Sequence, residues 1–291
     1  MSVSAPPAAA KAVIADRRFQ HYSGHRSGVG YAFWRLYLYS VGWVLGLKRS
    51  ARYKIVPALF LVAAFGPAAI IVVVAIVAPP GTELPNYWDL YGFTLPAIYV
   101  FVAITVPELI CPDRRHGTLR MYMTSNLNPV VYVAAKVAAA WTVLGIVTLL
   151  PVLFVLGGYT FVGVGPDSAL HFFKTLGQVF AAGAEYALFY GTLALAIASL
   201  TDRNSFASAG IILTFILTGA ALGILQGPLK APDWVEMFNI NTLPNDLMLK
   251  IYQQTIEGLK LETWELAAAV AAWVAGGLGV LAYRYLGEAR R

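Results

Sequence analysis

The residues of this sequence that could do chemistry are few, and their spacing matches no catalytic motif. There is no H-E-x-x-H and no Cys/His cluster with the spacing of zinc ligands, so the sequence predicts no metal site. The stretch GHRSG (24–28) is not the G-x-S-x-G of a nucleophile elbow. In GVGPD (163–167), Pro166 interrupts the pattern of a membrane aspartyl motif, and no partner aspartate lies inside an apolar run. An intramembrane enzyme is therefore disfavoured.

Nucleotide binding through a P-loop is excluded as well. The phosphate-binding motif G-x-x-x-x-G-K-[S/T] requires a Gly-Lys pair, and that pair never occurs in the chain. This chain therefore has no P-loop of its own with which to bind ATP.

One ionisable residue, Glu185, lies inside a long apolar run and has no obvious basic partner. An ionisable group inside a membrane span is costly, and its default interpretation is functional. The alternative is a protonated or hydrogen-bonded glutamate that packs between helices near Tyr186 or Tyr190. Both interpretations stay open at this point. The functional one would allow a secondary transporter that uses Glu185 as a proton or ion site, although no internal inverted repeat supports that class.

The most prominent group of charged residues between apolar runs lies in the stretch ICPDRRHGTLRMYMTSNLNPVVYVAAK, residues 110–136. We expect Asp113 to cap a short amphipathic helix that begins there, with its carboxylate near the positive end of the helix dipole. Leu119, Tyr122 and Met123 would form the apolar face of that helix. An exposed apolar face of this kind requires something to dock on it.

The elements that position these residues follow from the composition. The chain has 291 residues, of which 58% are hydrophobic and only 12% are charged, whereas soluble domains carry about 25% charged residues. This composition is typical of a membrane protein. The single cysteine, Cys111, has no partner for an intramolecular disulfide.

A bilayer core of about 30 Å requires roughly 20 apolar residues in a helix, and six segments meet that requirement. The predicted fold is an all-α membrane protein. Its six transmembrane helices, spans one to six, cover 54–78, 91–110, 130–157, 175–200, 206–226 and 264–286. Together they form one six-span transmembrane domain, 54–286.

Six spans leave both termini on one side of the membrane, and the Lys and Arg residues predict which side. Of the 21 Lys and Arg residues, 17 fall on the side of the termini and of the 110–136 stretch, and four fall on the other side. We therefore expect cytoplasmic N and C termini and a location in the plasma (inner) membrane. The topology and the lipid bilayer explain the basic charge, and no nucleic acid partner is predicted.

The remaining segments lie outside the spans. Residues 1–30 are expected to be a flexible cytoplasmic arm and 287–291 a cytoplasmic tail. Residues 31–53 are rich in aromatic side chains and end in a basic cluster, which predicts an interfacial amphipathic helix on the cytoplasmic leaflet, with a seventh span as the alternative. The long connection at 227–263 predicts outer re-entrant or capping helices between spans five and six.

The charged stretch also has a distinctive order of residues. From Asp113 onward it reads D-R-R-H-G-T-L-R-M-Y-M-T-S-N, and Lys136 follows as span three begins. This order resembles the membrane subunits of ABC-2 type transporters, which carry a pattern close to E-R-x-x-G-T-L-x-x-L-x-T-S-P after their second span, followed by a Lys. The sequence departs from that pattern at Asn126, Asn128 and Pro129.

The resemblance implies a permease subunit of an ATP-binding cassette exporter. Two such subunits, alike or different, would pair around a central pathway, and a separate ATPase subunit would dock beneath each. ATP and Mg would bind to the ATPase subunits, so this chain would hold no cofactor. The charged stretch would be the coupling helix, and residues 31–53 the connecting helix. The residues expected to dock on the ATPase are Asp113, Arg114, Arg115, His116, Gly117, Thr118, Leu119, Arg120 and Met123.

The resemblance also implies that spans two and five line the pathway, with the outer segment 233–260 as its lid. The pathway or packing candidates are Tyr99, Phe215, Glu185, Gly219, Gly223 and Gly227. The three glycines recur every fourth residue, a spacing that permits close contact between membrane helices within one subunit or between two. The apolar and aromatic walls favour a hydrophobic or amphiphilic substrate.

Overall fold

The computed structural model describes residues 28–47, 50, 54–79, 81–118, 121–122, 127–226, 229, 231–256, 259 and 261–288. All regular secondary structure within these residues is helical. Of the predicted N-terminal arm, only residues 28–30 are among the described residues. Of the predicted tail, only Gly287 and Glu288 are.

The α-helices are α1 (Val29–Val44), α2 (Ile55–Val77), α3 (Asp89–Thr105), α4 (Pro107–Arg115), α5 (Pro129–Val162), α6 (Ala169–Ala198), α7 (Asn204–Gln226), α8 (Leu243–Ile251) and α9 (Thr263–Glu288). A 3₁₀ helix, Asp233–Phe238, lies between α7 and α8.

Six segments among the described residues are long and apolar enough to cross a membrane. They are Pro57–Val77, Asp89–Arg115, Pro129–Val162, Ala169–Ala198, Asn204–Leu225 and Thr263–Gly287. This result confirms the predicted all-α fold with six spans. Span two consists of α3 and α4, which meet at Val106 just before Pro107.

The spans extend beyond the apolar runs because capping residues, and not hydropathy, determine where their helices begin. α5 starts after Asn128, whose side-chain oxygen accepts a hydrogen bond from the Val131 N–H at 2.9 Å. α6 starts after Ser168, whose hydroxyl accepts from the His171 N–H at 3.2 Å. Each cap satisfies a backbone donor that the first helical turn leaves unpaired. As a result, α6 begins at Ala169, six residues before the start predicted from hydropathy.

Helices α5 and α6 form the centre of the bundle and make its most extensive helix–helix contact. Helices α1 and α2 pack on α5, and α9 packs on α6. Most of α6 is buried within the chain, whereas only a minority of α2, α7 and α9 is buried. The outer faces of those three helices are therefore left for lipid or for another chain.

The first helix is shorter than predicted. α1 ends at Val44, and Gly46 in the following turn has a φ of 70°, whereas the predicted interfacial helix continued to residue 53. At 16 residues, α1 is about 24 Å long, which is too short to cross the bilayer core. Tyr37 Oη lies 2.9 Å from Thr142 Oγ1 and holds α1 against α5.

Candidate functional site

The charged stretch begins as the end of a span helix and not as a new helix. α4 starts with Pro107 and continues through Asp113 to Arg115. Asp113 therefore lies in the last turn of α4, and the prediction that it caps a new helix is wrong. The helix continues past its apolar run because its polar residues find partners on neighbouring elements. We call this end of the bundle, with the α6–α7 turn and the start of α5, the charged end.

Asp113 is the centre of a buried network. Its Oδ2 atom lies 2.8 Å from Lys136 Nζ in α5, and these side chains are only 15% and 5% exposed. Tyr132 Oη donates a hydrogen bond to the same Asp113 oxygen at 2.8 Å. Thr118 Oγ1 donates to the Asp113 backbone carbonyl at 3.1 Å. The network attaches the beginning of the charged stretch to the beginning of span three.

Arg114 makes a second attachment, to the turn between α6 and α7. Its Nε atom lies 3.0 Å from Asp202 Oδ1, and its Nη1 atom donates to the Ser199 carbonyl. Arg284 of α9 donates to the same carbonyl at 3.3 Å. Ser199 is the C-cap of α6, where the helix dipole favours positive charge. Span two is therefore joined to spans four and six at the charged end.

Cys111 lies in the same contact between α4 and the α6–α7 turn. Its Sγ atom is 3.6 Å from the Ala198 carbonyl oxygen and 3.6 Å from that of Thr201. The side chain is buried beside Ala198 and Ala207. The only cysteine of the chain is thus part of the packing between spans two, four and five.

The three residues that follow Arg114 lie at the surface of the chain. Arg115 and His116 are exposed, and Gly117 has a φ of 68° with nothing within 4 Å of a Cβ built there. The left-handed conformation of Gly117 turns the chain at the end of α4. Met121, the first residue of the next described segment, is 72% exposed.

The structure therefore divides the predicted docking residues into two groups. Asp113, Arg114 and Thr118 form contacts within the chain, while Arg115, His116 and Gly117 are exposed. Leu119, Arg120 and Met123 lie outside the described residues, so their docking role stays a prediction.

A second polar region lies in the interior, where the turn 239–242 enters between α3, α6 and α7. Tyr190 Oη donates to the Ile240 carbonyl at 3.2 Å, and Tyr99 Oη lies 3.3 Å from Tyr190 Oη. The Phe215 ring packs on both tyrosines, with centroid distances of 4.9 and 5.7 Å. The predicted pathway candidates Tyr99 and Phe215 are thus brought together. We call Tyr91, Tyr99, Tyr186 and Tyr190 the tyrosine cluster.

Glu185 lies beside the tyrosine cluster, in α6. It is 8% exposed, and neither carboxyl oxygen has a hydrogen-bond partner among the described residues. Tyr91, Tyr186 and Tyr190 are close enough to Glu185 for electrostatic interaction. The expected neighbours Tyr186 and Tyr190 are therefore present, but they do not form hydrogen bonds with the carboxyl group.

The glycines of span five differ from one another in their surroundings. A Cβ at Gly219 would lie 2.5 Å from Asn241 Nδ2, whereas a Cβ at Gly223 would meet nothing within 4 Å. Gly219 therefore permits close approach of the 239–242 turn, and Gly223 faces open space. Gly227 lies outside the described residues.

A pair of carboxyl groups lies in the connection between spans five and six, and the sequence analysis did not identify it. Glu236 and Asp246 are joined by a side-chain hydrogen bond, and Thr242 donates to Glu236. Burial raises the pKa of Glu236. Burial, and next the neighbouring Glu236, raise the pKa of Asp246 to about 7, while Lys250 lowers it. We call the connection from the 3₁₀ helix through α8 the cap.

Other site residues were also missed by the sequence analysis. Tyr132, Asp202 and Asn241 each bind a residue that is distant in sequence. For Asp202 the sequence did contain a signal. The predicted topology places Asp202 and Arg114 on the same side of the membrane, where an ion pair between them is possible. Among the residues described, no group of three or more His, Cys, Asp or Glu side chains could hold a metal ion.

Six helices long and apolar enough to cross a membrane, a charged segment attached to neighbouring elements of the bundle, and a polar interior define a multi-pass membrane protein. The family model of the ABC-2 family transporter protein matches residues 49–283, so the chain belongs to that family. The resemblance of the charged stretch is thereby confirmed. No curated protein matches the chain. The protein is thus a multi-pass permease of the plasma membrane without its own ATP site, and its family implies partnership with ABC ATPase subunits.

Proposed function

We propose that the chain is the permease subunit of an ATP-binding cassette exporter, which moves a hydrophobic or amphiphilic substrate with ATP hydrolysed by a separate ATPase subunit. ATP and Mg bind to the ATPase subunits, and this chain holds no cofactor. The observation that carries the proposal is the double attachment of the charged stretch. Asp113 is paired with Lys136 in span three, and Arg114 is paired with Asp202 after span four.

These two attachments make the stretch suitable for coupling. A segment that presses on an ATPase can move the spans only if its base is rigidly connected to them. The exposed residues Arg115, His116 and Gly117, with Leu119, Arg120 and Met123, form the proposed docking surface. Asp113, Arg114 and Thr118 hold that surface in position through their contacts within the chain.

The proposed orientation has both termini and the charged end in the cytoplasm, as the distribution of Lys and Arg indicates. In that orientation α1 is an interfacial connecting helix, and the cap lies on the outer side as a re-entrant lid. Tyr190 is nine residues before Ser199, or roughly 14 Å along the helix, which is close to the middle of the bilayer. Irregular backbone at that depth needs protein partners, and Tyr190 supplies one to the 239–242 turn.

A second permease chain, the same or homologous, completes the proposed transporter. The largely unburied helices α2, α7 and α9 provide surface for it. Spans two and five line the proposed pathway, with Tyr99 and Phe215 in contact at its closed centre.

One observation favours a second candidate function. The carboxyl of Glu185, which has no hydrogen-bond partner among the described residues, would suit a secondary transporter that couples to a proton or ion. The two functions differ in their energy source. Transport by the purified chain in vesicles with an ion gradient and without an ATPase would support the second function.

The docking surface is tested by charge reversal. Arg115→Glu is expected to abolish co-purification of the ATPase subunit with the detergent-solubilised chain, because it replaces an exposed positive charge of the docking surface with a negative one. Lys54→Glu is the matched control, since Lys54 is an exposed cation at the start of α2 outside the surface. Equal ATPase recovery with both variants and with the unmodified chain would show that the charged stretch does not dock the ATPase.

A further inference from the structure

We propose that Glu185 and Tyr91 form a recognition site for a positively charged group, such as the ammonium head of a cationic amphiphile. The site is a property of this chain, and only its assignment to the exported substrate depends on the proposed function.

The first argument is the unbalanced charge of Glu185. Both of its oxygens are buried and lack hydrogen-bond partners among the described residues. No ion pair joins this carboxyl to a basic side chain of the described part of the chain. A buried carboxylate without a partner is strongly unfavourable, so a proton or an external cation must neutralise it.

The second argument is the aromatic surroundings of the carboxyl. Tyr91 stacks on Tyr186 with a centroid distance of 4.8 Å and an interplanar angle of 14°, and Tyr186 packs on Tyr190 at 5.8 Å. Ring faces attract cations, most strongly in a site without water. A carboxylate beside several tyrosine rings is therefore suited to an organic cation, whose surface is partly apolar.

The third argument is the direction from which the site can be reached. Tyr91 Oη and Tyr252 Oη are also buried and unpartnered within the described residues, and the two residues are close enough for electrostatic interaction. Tyr252 directly follows α8 and packs on Trp88 at 5.6 Å. Unpartnered polar groups thus extend from Glu185 through Tyr91 to the cap.

The cap covers the site through a few polar contacts. Tyr186 Oη donates to Asn245 Oδ1 at 3.4 Å, and Gln178 donates to the Ile251 carbonyl at 2.9 Å. In this closed arrangement a proton neutralises Glu185. When the cap moves away, the cation enters, the proton leaves the carboxyl for water, and the net charge of the site does not change.

The other charged groups around the site do not supply a permanent cation. Asp246 of α8 is close enough to Tyr186 for electrostatic interaction, and Glu236 of the 3₁₀ helix is hydrogen-bonded to Asp246. Lys250 acts on Asp246, and Lys174 of α6 donates to Gln253 at 3.0 Å, at an exposed position. Among the described residues, the titratable groups that interact with Glu185 are therefore the tyrosines, and the acidic cap adds negative charge.

The experiment uses the full chain in nanodiscs of zwitterionic lipid and measures equilibrium binding of radiolabelled tetraphenylphosphonium at pH 6, 7 and 8. We expect saturable binding that tightens as the pH rises, because the cation competes with a proton. Glu185→Gln should weaken binding about tenfold or more, equivalent to roughly 1.4 kcal/mol, and should remove its pH dependence. Tetraphenylborate, which has nearly the same shape and the opposite charge, is measured in separate samples as a control. It should show no saturable binding.

Two further variants keep the test decisive. Glu83→Gln removes the same charge at an exposed position of the 79–88 connection and should bind like the unmodified chain. Glu185→Asp retains the carboxylate and should retain pH-dependent binding, even if the glutamine variant folds poorly. No saturable binding to the unmodified chain, or equal binding by the Glu185→Gln variant, would overturn the proposal. A chain that binds the cation but no ATPase would contradict the proposed function and leave this site standing.

Discussion

The Oδ2 atom of Asp113 lies 2.8 Å from the Nζ atom of Lys136, an ion pair that closes the base of the charged stretch. The pair joins the last turn of α4 to the second turn of α5, so both ends of the segment between them are attached to spans. In the proposed function, force on the exposed part of that segment passes directly into spans two and three.

This pair should be strongly coupled in stability. Asp113→Asn is expected to destabilise the chain by about 3 kcal/mol, because it leaves the buried Lys136 charge without its partner. The double variant Asp113→Asn, Lys136→Met should be less destabilised than the single one, since it leaves no unpaired charge. Denaturant unfolding in detergent micelles measures both. The loss of stability in the double variant is compared with the summed losses of Asp113→Asn and Lys136→Met measured singly. A double variant that loses at least as much as that sum would show that the two side chains are not coupled.

The Arg114 attachment should be asymmetric in its energetics. Asp202→Asn is expected to cost less than about 1 kcal/mol, because the Asp202 side chain is 59% exposed and its ion pair is screened by water. Arg114→Ala should cost more, on the order of 2 kcal/mol, because this side chain is 12% exposed and also bonds the Ser199 carbonyl. Thermal unfolding of the two variants in the same detergent gives the comparison. A larger loss for Asp202→Asn would contradict this account of Arg114.

The glycines of span five should differ in their tolerance of a methyl group. Gly219→Ala places a Cβ 2.5 Å from Asn241 Nδ2, so Asn241 must move and lose its 2.8 Å hydrogen bond to the Phe215 carbonyl. We expect a cost of about 1 kcal/mol. Gly223→Ala meets nothing within 4 Å and is the matched control, with stability kept or slightly raised because alanine favours a helix more than glycine does. Equal stabilities would show that the 239–242 turn does not depend on close packing at Gly219.

The cap should loosen as the pH rises through about 7. The pKa of Asp246 is raised from 3.8 to about 7 in the folded chain, so its proton stabilises the folded cap at low pH and that stabilisation is lost as the pH rises through the folded value. Hydrogen exchange of the α8 amides at pH 6 and pH 8 measures this change.

The Asp246→Asn variant is the reference for the cap experiment. The side-chain amide that this substitution introduces cannot ionise. The exchange rates of the α8 amides in this variant should therefore change between pH 6 and pH 8 only as the intrinsic exchange rate does. If the unmodified chain and this variant show the same pH dependence, the shared proton of Asp246 and Glu236 does not hold the cap.

The sequence allowed more of the fold than of the site to be predicted. The six spans were identified because each is a continuous apolar run of bilayer length, which is a local property. The ends of α4, α5 and α6 were misplaced because they depend on caps and on partners for polar residues. Asp113 shows this clearly, since its position in the last turn of α4 follows from a lysine more than twenty residues away.

The sequence by itself determined the membrane class, the number of spans and the family, because these depend on composition, on the lengths of apolar runs and on one local motif. Only the tertiary structure decided what the charged and polar residues contact. It paired Asp113 with Lys136, joined Arg114 to the α6–α7 turn and, within the part of the chain that is described, gave the Glu185 carboxyl no hydrogen-bond partner beside the tyrosines. The physical reason is that an ion pair or a buried polar group depends on distances across the bundle, and helix packing sets those distances.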